Sequence, residues 1–156
     1  MLKKSSRKIS QKNTGRIAIV ASTYNAEFVD GMLGSALCIL EKAGVRKVEL
    51  IRVPGAFEIP VVTAKLARRK RHRPEAIICL GVILRGKTTH ADHIGQTVSR
   101  LLGQIAMETG VPVIHEVLLL ENKTQAKARC MSNKTNRGNE AAHAALSMAE
   151  LFQKVQ

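Results

Sequence analysis

Residues 75–84 read EAIICLGVIL, and the chain continues directly into RGKTTHADH through residue 93. The first part is an apolar run without strict alternation, the pattern of a strand covered on both faces, as in a parallel sheet. Three further short apolar runs, rich in β-branched residues, match it: RIAIVAS (16–22), KVELIRVPG (47–55) and VPVIHEVLLL (111–120). The segments between them change to the helical period. Phe28, Val29, Met32, Leu33, Ala36, Leu37 and Leu40 form one stripe, closed by Gly44. A second helix is predicted over about 59–71, where Pro60 is tolerated near the start. A third carries Ile94, Val98, Leu101, Leu102, Ile105 and Ala106 and stops at Gly110.

After the fourth run, Asn122 is placed to cap a short helix through Arg129. The polar break CMSNKTNRGN then leads to a last helix from about Asn139 to Lys154, with Ala142, Ala145, Leu146, Ala149 and Phe152 facing inward. Regular alternation of strand and helix implies an α/β fold with right-handed crossovers: a flavodoxin-like, three-layer α/β/α sandwich around a four-stranded parallel sheet. Residues 1–15 read as a flexible basic tail, and 16–156 as one domain. In such sheets ligands collect at the carboxyl ends of the strands.

Composition narrows the class further. The 156 residues are 45% hydrophobic but only 3% aromatic, with no Trp, so the core is expected to be aliphatic. Cys38, Cys79 and Cys130 are widely spaced, and Cys38 and Cys79 fall in apolar segments, where a reduced thiol serves as a small hydrophobe. With no membrane-length apolar run and no apolar stretch after the basic N-terminus, the expectation is a soluble protein of the cytoplasm. The net charge of +13 raises nucleic acid or a membrane surface as partners. Six of the cations (Lys3, Lys4, Arg7, Lys8, Lys12, Arg16) lie in the N-terminal stretch, and a second cluster, ARRKRHRPE (67–75), is expected to close the second helix. Read as two separate solvated surfaces, they make neither nucleic acid nor membrane an expected partner.

Four loops follow the strands: STYN, PGAFEIP, LRGKTTHADH and LLENKTQAKAR. In the third, Gly86 allows close backbone approach, Thr88 and Thr89 offer hydroxyls, and Lys87 or Arg85 adds positive charge. These are the parts of a phosphate cradle, though a plain strand-to-helix turn fits as well, and the Walker A pattern is absent. His90 can exchange protons near neutrality, or be a satisfied polar residue at a helix start. His90, Asp92 and His93 do not converge on a metal if the helix begins by Ala91. Phe57 by itself reads as core, Glu58 as a complement to a helix N-terminus, and Arg129 either as a bidentate phosphate ligand or as a cation closing its helix.

Taken together in order, PGAFEIP, GVILRGKTTH, GVPVIxxVLxxEN and QAxxR resemble lumazine synthases over about residues 16–154. The resemblance implies condensation of 5-amino-6-(D-ribitylamino)uracil with 3,4-dihydroxy-2-butanone 4-phosphate to give 6,7-dimethyl-8-ribityllumazine, without cofactor or metal. It also implies roles. Tyr24 would stack on the pyrimidine beside Asn25, and Ala56, Phe57, Glu58 and the backbone of Val82, Ile83 and Leu84 would hold the ring or the ribityl chain. Lys87, Thr88 and Arg129 would hold phosphate, and His90 would donate a proton. His115 and Arg129 would come from an adjacent chain of a homopentamer, or of an icosahedral capsid of sixty subunits, with possible association with riboflavin synthase. Ala91 and His115 stand where the family usually has aromatics, and Leu119 and Leu120 where it often has a Thr pair. A basic nucleic-acid-binding protein and a shell protein without chemistry remain the competing readings.

Overall fold

The computed structural model of the protein describes residues 15–155; the predicted tail, apart from Gly15, lies outside them. Four strands, β1 (Arg16–Ser22), β2 (Lys47–Val53), β3 (Ala76–Leu84) and β4 (Val113–Leu120), form one parallel sheet in the order β2-β1-β3-β4. Five α-helices accompany them: α1 (Ala26–Lys42), α2 (Ile59–Ala67), α3 (His90–Thr109), α4 (Lys123–Cys130) and α5 (Arg137–Lys154). This is the three-layer, flavodoxin-like α/β architecture expected from the sequence. The four strands fall where the apolar runs are.

Both faces of the sheet are covered, which explains why the runs do not alternate. Ile17, Ile19 and Ala21 of β1, with Ile78, Leu80 and Val82 of β3, pack against α1 and α5. Their neighbours Ala18, Val20, Ile77 and Cys79 pack against α2 and α3 on the other face. Each strand thus supplies apolar side chains to two cores. Phe28 is the one aromatic buried among the described residues, so the core is aliphatic as composition requires.

Several element ends differ from the sequence reading. The second helix stops at Ala67 rather than about residue 71, because Arg68 leaves helical geometry (φ −93, ψ 3) and His72 turns left-handed (φ 56). The cations of ARRKRHR therefore form a loop and do not close the helix. The last helix begins two residues earlier than expected: the Asn136 side chain accepts from the Gly138 N–H at 2.8 Å, supplying an N-cap, while its Nδ2 donates to the carbonyls of Cys130 and Gly31. Asn122 caps α4 as read, accepting from Gln125 N at 2.9 Å. Phe152 is only half-buried.

The thiols divide by position. Cys79 is fully buried and pushed up to about 12 by desolvation, which keeps it protonated and inert. Cys130, buried and close to Glu116, is pushed up to about 11. Cys38, expected as a small core hydrophobe, lies instead on the exposed side of α1.

Candidate active site

The carboxyl ends of β1, β2 and β3 open onto a cavity of about 810 Å³. Tyr24 and Asn25 enter it from the loop after β1. Gly55, Ala56, Phe57 and Glu58 enter from the loop after β2, where one turn of 3-10 helix spans Ala56–Glu58. Val82, Ile83 and Leu84 come from the end of β3, followed by Gly86 and Thr88, and the first turns of α3 add His90, Ala91, His93, Ile94 and Thr97. Three of the four loops singled out in the sequence therefore meet in one place.

Two aromatic faces are open here. Tyr24 is 72% exposed and Phe57 56%, so Phe57 is not the core residue that base rates favour. Both offer flat apolar surface to a planar ring. Beside them runs an incomplete strand edge: β1 pairs with β3 only as far as Ala21 opposite Leu80, so residues 82–84 extend beyond their neighbour on that side. A strand without a partner presents backbone donors and acceptors that a heterocycle with amide-like edges can use. Asn25 sits at this edge in the left-handed region (φ 57), and its Nδ2 donates to the Val82 carbonyl at 2.8 Å. One of the backbone groups expected to meet ligand is thus already engaged by Asn25, which ties the β1 loop to β3.

Arg85 does not join the phosphate cradle that the sequence suggested for it. Its Nη1 donates to both carboxylate oxygens of Asp92 at 2.8 Å, and its Nε donates to Glu121 at 2.9 Å. The Asp92 hydrogen bond and then that of Glu121 hold the guanidinium pKa above its ordinary value. Arg85 fastens the β3–α3 loop to the first turn of α3 and to the end of β4. The Thr88 hydroxyl accepts weakly from the His90 N–H at 3.4 Å, and Thr89 lies 3.3 Å from His93 Nε2. Arg52 does similar fastening under the β1 loop, donating to the Ser22 carbonyl and to Asp30. Neither arginine's role is readable from sequence, because the partners are separated by spacings that no local rule covers.

Lys87, His115 and Arg129 do not line the cavity. Lys87 lies between two lining residues, and Arg129 is exposed on α4. His115 is on β4, across α3 from the cavity, where a second depression of about 510 Å³ is lined by Asp92, Gly95, Gln96, Ser99, Val117 and Leu119. Its ring is held at both nitrogens: Nδ1 accepts from the Val117 N–H at 3.1 Å, and Nε2 is 2.7 Å from Ser99 Oγ, which donates to the Gly95 carbonyl. With Nδ1 occupied as an acceptor, the ring is neutral and carries its proton on Nε2.

Desolvation lowers the His115 pKa, and the Val117 hydrogen bond opposes protonation in the same direction. A lowered folded-state value means that this stability is complete above the unfolded value of about 6.5 and is lost as pH falls through the folded value. Urea unfolding at about pH 7.5 and about pH 5.5 is expected to show a loss in the native chain that is smaller in His115→Phe. An equal loss in both would contradict this account of the ring.

The model of the 6,7-dimethyl-8-ribityllumazine synthase family matches residues 14–153. Among curated proteins, the 6,7-dimethyl-8-ribityllumazine synthase of Kineococcus radiotolerans is 42% identical over 133 residues, covering 84% of this chain and 81% of the relative. That of Thermococcus onnurineus is 40% identical over 139 residues (89% and 90%), and that of Streptomyces coelicolor 38% over 151 residues (94% and 92%).

Proposed function

The chain belongs to the 6,7-dimethyl-8-ribityllumazine synthase family, and from that membership we propose how its residues carry the reaction. It is a transferase of riboflavin biosynthesis, condensing 5-amino-6-(D-ribitylamino)uracil with 3,4-dihydroxy-2-butanone 4-phosphate to give the lumazine, phosphate and water. The observation that carries the assignment of roles is the convergence of Tyr24, Phe57, the open edge of residues 82–84 and His90 on one cavity. The pyrimidine stacks against Tyr24 and meets the 82–84 backbone. Asn25 holds that edge in place, and Ala56, Phe57 and Glu58 take the ribityl chain or ring.

The aryl amine attacks the ketone, water leaves to form the imine, phosphate is eliminated, and the ribityl-bearing nitrogen closes the ring on the remaining carbonyl carbon with loss of a second water. These steps are mostly proton transfers between reactive partners, so near-attack positioning supplies much of the acceleration. His90, opening α3 beside the cavity, gives and takes the protons. Lys87 and Thr88 hold phosphate with Arg129, while Arg85 is committed to Asp92 and Glu121.

Because His115 and Arg129 lie away from the cavity of their own chain, the reading includes a second subunit that brings them to it. The assembly is then a homopentamer, or a shell of twelve pentamers, in the cytoplasm and in functional association with riboflavin synthase, with residues 16–156 as the single domain. Among the described residues no helix is long and apolar enough to cross a membrane.

Mixing the pure protein with both substrates, following the lumazine optically and checking phosphate release, tests the reaction; no product above the uncatalysed rate would overturn it. Arg129→Ala is expected to raise KM for the butanone phosphate about tenfold or more with a smaller change in kcat, as loss of a charge-assisted phosphate contact requires. A fall in kcat alone would remove Arg129 from the phosphate site.

A further inference from the structure

The fold gathers basic residues at the end of the sheet opposite the cavity. Arg16 and Lys47 are directly paired at the amino ends of β1 and β2, so they occupy adjacent strands. Arg16 Nη2 also lies 3.3 Å from His72 Nδ1, and the Glu75 N–H donates to the Arg16 carbonyl at 2.8 Å. These contacts bring the loop holding Lys70, Arg71 and Arg73 against the first two strands. Lys47, Lys70, Arg71 and Arg73 are exposed. The loop is fixed as well as charged: His72 turns it through the left-handed region, and Arg69 anchors it on Glu49 by bonds of 2.8 and 3.0 Å.

The acids around this end are largely engaged elsewhere. Glu49 is taken by Arg69, Glu108 by Arg68 and Gln104, and Glu150 by Lys154, which leaves Glu75 within the cluster and Glu41 beside Lys42. Arg16, which the sequence groups with the N-terminal cations, is thus a neighbour of the 70–73 loop in the fold.

We propose that this end of the molecule is a nucleic-acid-binding surface, on which Arg16, Lys47, Lys70, Arg71 and Arg73 grip phosphodiesters. Arginine forks match phosphate oxygens in pairs, and a fixed loop loses little entropy on binding. Residues 68–75 hold no exposed apolar side chain to insert into a bilayer, since Pro74 is buried. None of Tyr24, Phe28, Phe57 and Phe152 lies in the cluster, so base stacking is absent from it and binding is indifferent to sequence.

Fluorescence anisotropy of the full chain with labelled mixed-sequence oligonucleotides of about 25 nucleotides, single-stranded and duplex, tests this between about 50 and about 300 mM KCl. Binding to both is expected, with log K falling against log[KCl] by about 4 or more, close to one for each cation engaged. Lys70→Glu/Arg71→Glu/Arg73→Glu is expected to weaken binding at least about tenfold and to flatten the salt slope by about 3. Lumazine formation and the melting curve should be unchanged, because the cavity is at the other end. No binding at about 50 mM KCl, or unchanged affinity in the triple variant, would overturn the proposal. So would binding to anionic phospholipid vesicles without binding to either oligonucleotide, which would make the surface a membrane contact.

Discussion

Gly138→Ala is expected to destabilise the protein by about 3 kcal/mol, while Gly34→Ala stabilises it by about 0.5–1 kcal/mol. The two substitutions add the same methyl group to helices packed on the same face of the sheet. At Gly138, in the first turn of α5, a Cβ would run into the backbone carbonyl of Met32 on α1, an atom that no side-chain rotation can move away. Either α5 shifts outward, opening the layer built on Ala141, Ala142 and Ala145, or the Asn136 cap on the Gly138 N–H is lost. At Gly34, on the exposed side of α1, nothing lies within 4 Å of the added carbon. There the methyl group only restricts the unfolded chain and improves helix propensity. Chemical unfolding of both variants decides it, and a shift in the same direction for the pair would contradict this account of the α1–α5 contact.

His90→Ala is expected to lower kcat by about 100-fold or less and to leave measurable turnover. The imidazole can assist proton transfer, but the amine and ketone are already reactive, and the remaining lining of the cavity still holds them together. KM for the pyrimidine should change little, because the proposed function assigns its contacts to Tyr24, Phe57 and the 82–84 edge. Steady-state kinetics on a variant with native circular dichroism and native mass in solution provides the measurement. Complete loss of activity in such a variant would make His90 indispensable and shift the catalytic burden from positioning to acid–base chemistry.

The element boundaries that the sequence located best are those written into backbone chemistry. Three of the four apolar runs end with their strands, at Ser22, Leu84 and Leu120, and the run over 47–55 gives a strand that stops at Val53, before Pro54 and Gly55 turn the chain. Asn122 and Gly110 mark helix ends because a cap and a left-handed residue (φ 67 at Gly110) act within a few residues of themselves. The end of α2 was less legible. Helix-compatible residues continue through Arg69 and Lys70, yet the helix ends at Ala67 and Arg69 pairs with the distant Glu49. The start of α5 at Arg137 likewise depends on Asn136 reaching the Gly31 carbonyl, 105 positions away in sequence.

The candidate site divides in the same way. Local pattern placed Gly86, Thr88 and His90 in a loop with chemical potential, and the order of four motifs gave the family. What sequence alone determined is the α/β alternation, the aliphatic core and the identity of the loops at the strand ends, all of which follow from side-chain periodicity and short-range backbone preference. Tertiary structure decided the rest: that Phe57 opens to the cavity, that Arg85 belongs to Asp92 and Glu121, and that Arg16, Lys47 and the 70–73 loop form one basic end. Those outcomes depend on which residues share space across the sheet, and the energies of ion pairs and ring packing fall off over distances in space, not along the chain.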